Sequence, residues 1–142
     1  MSRKRERGAN LVEFALVAPL LIVLVFGIVD FAWILSQQQD VRHGAREAAR
    51  LAAVNTDTGP NMATLTCSSM NVSSGAVITF GRTGDQPGDT GNVSVVSPVV
   101  SLTGFASLPF VGAIYPTTFT EAITFRLEQL ATWTDATGGT CP

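Results

Sequence analysis

The sequence predicts an α+β protein: one long N-terminal helix, its first part apolar enough to cross a membrane, followed by a small antiparallel β-sheet domain. Three observations predict it. Apolar residues run almost unbroken from Leu11 to Leu35, a proline-free stretch rich in helix formers follows over residues 36–54, and beyond it short β-like runs are punctuated by Gly, Pro, Ser and Thr. A chain of 142 residues has room for one domain plus an appendage. The expected division is a basic leader over 1–8, a helix over 9–54 and an outer β-rich domain over 55–142.

The leader places Arg3, Lys4, Arg5 and Arg7 against Glu6 alone, and the rest of the chain is acidic on balance. A basic tip followed directly by an apolar run holds an N-terminus on the cytoplasmic side of a membrane. Over residues 11–35 the run is interrupted only by Glu13, Pro19, Gly27 and Asp30. The uncharged residues 14–29 make about 24 Å of helix, slightly under the hydrocarbon thickness of about 30 Å. Glu13 and Asp30 are therefore expected near opposite interfaces. A secretory signal has a shorter apolar core ending in a small-residue cleavage site. Here the run ends in Ser36-Gln37-Gln38-Gln39-Asp40, so the helix is expected to be retained. Pro19 lacks a backbone donor and clashes with the preceding turn, which predicts a kink or local unwinding over residues 15–19.

The order basic leader, Gly8, Ala9-Asn10-Leu11-Val12-Glu13, apolar helix resembles the class III signal of type IV pilins. In those proteins a membrane peptidase cuts after a glycine on the cytoplasmic side, and the fifth mature residue is glutamate. Cutting between Gly8 and Ala9 puts Glu13 at that position. Glycine lets a protease approach the backbone closely. A carboxylate within an apolar helix calls for a partner. The resemblance implies that the new ammonium group of Ala9 on an incoming or neighbouring subunit takes that part; the alternative is that Glu13 snorkels to the inner interface.

Gly8, the run Val12-Glu13-Phe14-Ala15-Leu16, Pro19, the run Gly27-Ile28-Val29-Asp30-Phe31 and Ala45-Arg46-Glu47-Ala48-Ala49-Arg50 together resemble the TadE-like family. These are minor pilins or pseudopilins of the tight-adherence pilus. The resemblance is strong over residues 7–53 and weak beyond, where it rests on a closing strand over 119–128. Asp30 stands where glutamate is commoner in the family, and Phe14 where the short major pilins of the same system carry tyrosine, which favours a minor subunit. The resemblance implies cleavage by prepilin peptidase, residence in the bacterial inner membrane with the outer domain outside the cytoplasm, and partnership with other pilin subunits and the pilus assembly platform. Two other roles stay open: a permanent membrane-anchored accessory protein, and an adhesin module at a pilus tip that uses the loop over 81–92.

Beyond the membrane, Val41, Ala45, Ala48 and Ala52 recur at helical spacing as a narrow stripe of small residues. It suits close packing against the protein's own outer domain or a partner helix. Glu47 is spaced to pair with Arg50 and His43 as solvated helix support. Arg46 and Arg50 either dock an acidic partner or are simply solvated.

In the outer domain, strands are expected over 76–80, 92–102 and 117–128. The last alternates best, with Phe119, Ile123, Phe125 and Leu127 on one face and Glu121 breaking the pattern. Its apolar face is expected to lie on the outer part of the helix. The loop over 81–92 carries Gly84, Gly88, Gly91, Asp85, Pro87 and Asp89, which reads as turn chemistry, since a calcium loop wants more alternating oxygen ligands and a closing glutamate. The segment 104–116 is unusually apolar for a connection. Through Phe105, Leu108, Phe110, Ile114 and Tyr115 it rests on the membrane surface, contacts another subunit or caps the sheet's own core. Cys67 and Cys141 lie on the outer side, where thiols oxidise, and are candidates for a disulfide; two free thiols or an intermolecular bridge are the alternatives.

Only 14% of residues are charged, against roughly 25% in an average soluble domain, and no basic patch is interleaved with aromatics. Nucleic-acid binding is not expected. His43 has no nucleophile or carboxylate constellation around it, and two distant cysteines with one histidine make no zinc site. No catalytic residue, metal, cofactor or small-molecule substrate is expected, and the chain reads as a non-enzyme.

Overall fold

The computed structural model of the chain describes every residue except 1, 2, 56, 108, 110 and 135. Helix α1 spans Arg3–Ala53 and its 51 residues make a rod of about 77 Å. The helical run continues unbroken through Pro19, so the missing N–H costs the ladder one bond without ending the helix. At the far end, Asn55 adopts a left-handed conformation (φ 50°), a common way for a non-glycine residue to stop a helix. The carbonyls this leaves open are not lost to solvent. Ala53 accepts from the Glu128 N–H at 2.9 Å, and Ala52 accepts from the Trp133 indole at 3.3 Å.

A second helix, α2, spans Gly59–Ser69 and was not expected from the sequence. Thr58 occupies the N-cap in an extended conformation, and Pro60 stands in the first turn, where its missing donor is not needed. Gly59, Met62, Ala63 and Thr66 are buried at one helical spacing, which sets the face that packs on the rest of the domain. The Thr66 hydroxyl is satisfied by the Met62 carbonyl at 2.9 Å.

Four strands follow: β1 Val77–Arg82, β2 Thr90–Pro98, β3 Thr118–Arg126 and β4 Ala136–Thr140. They form one antiparallel sheet in the order β3-β2-β1-β4. The first three lie within or beside the expected runs, and β4 was unforeseen. The closing strand is therefore β4, not the expected 119–128 run. A bulge between Ile78 and Thr79 shifts the β1–β4 register.

The sheet lays its inner face on α1. Ile78 and Phe80 from β1 and Val93 and Val95 from β2 meet the stripe Val41, Ala45, Ala48 and Ala52, all four of which have no exposed surface. Alanine is what lets the helix backbone approach the sheet so closely. Two glycines do the same at single points. The Met70 side chain lies against α1 at Gly44, where a Cβ would stand 2.5 Å from its sulfur, and the Phe125 ring covers Gly91 on the neighbouring strand. On β3, Phe119, Glu121, Ile123 and Phe125 all turn to the half-buried face. Glu121, out of place in the sequence pattern, reaches Arg42 on α1 at 2.7 Å.

The disulfide Cys67–Cys141 ties α2 to the chain end after β4 across 74 residues of sequence. In the chain-entropy model a loop of that size adds about 4 kcal/mol.

Candidate functional site

Helix α1 carries two surfaces. Over its inner part the large side chains point outward: Leu11, Phe14, Leu16, Leu20, Ile28 and others are exposed, and the most apolar 18-residue window holds no buried residue. It is the one helix among the described residues long and apolar enough to cross a membrane. Its large side chains stay exposed on the folded chain, an apolar surface suited to lipid or to other helices.

Gly8 and Glu13 sit on this inner part, both exposed. A Cβ at Gly8 would meet nothing within 4 Å, leaving that backbone open. Ala9 lies on the same helix, and its side chain is outside the description. Asp30 behaves differently from Glu13. It is wholly buried, accepting from the Leu102 and Thr103 N–H groups at 2.8 and 3.0 Å and from the Ser101 hydroxyl at 2.9 Å. The Tyr115 phenol also reaches it. The carboxylate expected at a lipid interface is thus a clamp on the β2–β3 connection.

Two further clamps lie along the same helix. Gln37, buried, donates to the Val100 carbonyl at 2.7 Å and accepts from the Val100 N–H at 3.0 Å, so its amide pairs with the loop backbone as a strand would. Asp40 accepts the N–H groups of Asn71, Val72 and Ser73 at 3.0, 3.0 and 2.9 Å, holding the segment after α2. Burial alone raises the Asp40 pKa, but these three donors outweigh it and hold the carboxyl below its ordinary value. The sequence reading missed the roles of Gln37 and Asp40. Their signal was only positional: polar residues at 30, 37 and 40 in a helix that otherwise buries small and apolar residues.

Residues 8–50 match the model of the TadE-like protein family. The TadE-like match begins at Gly8 and ends near the last turn of α1, so it covers Glu13, all three clamps and the stripe residues Val41, Ala45 and Ala48, and it leaves the sheet out. The family is associated with the tight-adherence pilus, and a pilus-associated, membrane-anchored protein is what the match and the exposed helix suggest together. Searches of curated proteins and of solved structures find no match.

The remaining sequence-predicted positions fall out as follows. Glu47 pairs with Arg50 at 2.6 Å, and that hydrogen bond, ahead of the Coulombic pull of Arg50 and His43, holds the Glu47 carboxyl below its ordinary value. His43 and Arg46 are exposed on the helix. In the loop over 81–92, Asp89 accepts from the Gln86 N–H and Asp85 pairs with Arg82, both of which are turn and rim contacts. Leu108 and Phe110 of the apolar segment lie outside the described residues, as does the Phe105 side chain. Among the described residues no group of three or more His, Cys, Asp or Glu is placed to hold a metal.

Proposed function

We propose that the chain is a minor pilin or pseudopilin of a tight-adherence pilus, made as a precursor, trimmed between Gly8 and Ala9 by prepilin peptidase, and held in the bacterial inner membrane by α1 with its sheet domain outside. The observation that carries this reading is the uncovered apolar part of α1 projecting from a folded domain, within the stretch that matches the TadE-like model. A rod of that kind packs beside its own copies or relatives once lipid is left behind. Glu13, in the proposed mature chain, takes the fifth position and meets the free amine of a neighbouring subunit, which sets the register of entry. Pro19, with its missing donor, supplies the point where the rod bends during extraction from the bilayer. The disulfide agrees with a domain in an oxidising compartment.

Intact-mass measurement on the protein from cells with and without prepilin peptidase tests the first step. A mature chain beginning at Ala9 only when the peptidase is present is the expected result; a start at Met1 in both strains sinks it. Glu13→Ala is expected to leave membrane insertion intact and to abolish incorporation into pili. Normal pili carrying the variant subunit would show that Glu13 has no part in assembly.

A further inference from the structure

We infer that the β2–β3 connection, in its described residues 99–107 and 111–117, is a lipid-contacting shelf seated at the outer interface of the bilayer that α1 crosses; this rests on the membrane-spanning reading of α1. The first argument is position. With Glu13 at the inner boundary, Asp30 lies about 26 Å further along the helix, inside a hydrocarbon layer of about 30 Å. The connection is fastened to Asp30 itself and to Gln37 two turns beyond, so it cannot stand clear of the interface while α1 spans it. The second is charge. From Thr90 to Thr120 the chain carries no charged residue, and the shelf occupies the end of that tract nearest the helix.

The third argument concerns backbone polarity, since unsatisfied N–H groups are what keep irregular chain out of an apolar medium. Here eight of the described N–H groups are served from within. Val99 donates to the Thr117 carbonyl, Val100 to Gln37, Leu102 and Thr103 to Asp30, Gly104 to the Ser101 hydroxyl, Ser107 to Gly104, and Ile114 and Tyr115 to Val111 and Gly112. The large side chains that the shelf offers outward include Val100 (52% exposed), Leu102 (57%) and Ile114 (81%), with Ser107 and Thr117 the exposed polar ones among the described residues. On α1, Phe31 and Leu35, close in sequence to the fastening residues Asp30 and Gln37, are exposed as well, so apolar surface is offered by both the helix and the shelf at this level. Tyr115, with its phenol held at Asp30, adds the amphipathic ring typical of interfaces. A second copy of the chain is the other occupant such a patch admits, but no charged group is present on it to set the register of a protein contact.

The test uses the full-length oxidised chain in phosphatidylcholine and phosphatidylglycerol vesicles, with an environment-sensitive NBD label on one introduced cysteine at a time: Ile114→Cys on the shelf, Leu24→Cys on the helix, Gln86→Cys on the distal β1–β2 loop. All three native side chains are exposed, and retention of the Cys67–Cys141 bond, checked by mass, reports that each variant has folded. Lipids carrying a nitroxide at a shallow or a deep acyl position serve as quenchers. The expected result is quenching at 114 several-fold above that at 86, stronger with the shallow nitroxide, while 24 responds more to the deep one. Quenching at 24 with 114 no different from 86 overturns the shelf alone. A blue-shifted but unquenched label at 114 also overturns it, because protein then covers the patch. Absence of quenching at 24 overturns the membrane-spanning reading itself.

Discussion

From Leu11 to Val29, α1 turns its large apolar side chains outward, whereas from Asp30 to Ala52 the same helix buries alanines, a glycine, Ile34, Val41 and Leu51 together with Asp30 and Gln37, with Asp40 half-buried beside them. The usual sorting of apolar inside and polar outside holds for the outer part of this continuous rod and fails for its inner part. The inner part needs no polar partner because lipid or other helices meet it. The outer part needs small residues, because the sheet comes close, and polar ones, because irregular loops bring backbone N–H groups that the helix has to satisfy. Asp30 marks the change of rule. The contrast with Glu13 is the sharpest form of it, since that carboxylate is exposed on the helix whereas Asp30 is buried and bound to its own chain.

The largest expected effect breaks that contrast at Asp30. Asp30→Ala removes the acceptor for two backbone N–H groups and a hydroxyl in a site with no exposure, and should destabilise the outer domain by about 3 kcal/mol. Thermal unfolding in detergent, followed by near-ultraviolet circular dichroism, measures it. Glu13→Ala in the same assay should change nothing, and a comparable loss there would mean that the two carboxylates do the same work. A middle-sized effect separates the two halves by packing. Ala48→Leu overfills the contact with the sheet and should cost about 2 kcal/mol, whereas Leu24→Ala on the uncovered half should stay within about 0.5 kcal/mol of the parent. Equal losses would show that the inner half packs against the domain after all.

Much of this was legible in the residues. The apolar run, the alanine stripe and the alternation of β3 each repeat with the period of the element they form, and periodicity survives in a sequence read alone. What escaped was written in other terms. Helix α2 opens on Gly-Pro and is built largely of Thr, Ser, Asn and Met, so its propensity is poor and its helicity comes from burying Met62 and Ala63. Strand β4, with two glycines in five residues, is held by pairing with β1 and by the neighbouring disulfide rather than by β-forming side chains. The clamps were hidden for a third reason. A polar residue on a helix looks the same in sequence whether it meets water or a loop 30 to 70 positions away.

The smallest effect concerns the third clamp and sharpens the comparison through pH. Asp40 lies beyond the apolar segment, and its carboxyl is held below the ordinary value by the N–H groups of Asn71, Val72 and Ser73 against the opposing effect of burial. A carboxylate whose folded pKa is depressed contributes stability that is fully present above the unfolded value near 4 and is lost as pH falls through the lower, folded one. Asp40→Asn keeps the shape but replaces two charged acceptor oxygens with one neutral oxygen and an NH2 group. It should cost about 1 kcal/mol at pH 7. Because protonation removes the same charge from the parent, the gap between parent and variant should narrow steadily below about pH 4. Chemical denaturation of both chains across pH 7 to 2.5 reads that gap directly. A difference that stays constant to the acid end would mean that Asp40 holds the 71–73 segment by shape and not by charge, and the helix would then be using Gln37 and Asp40 in the same way.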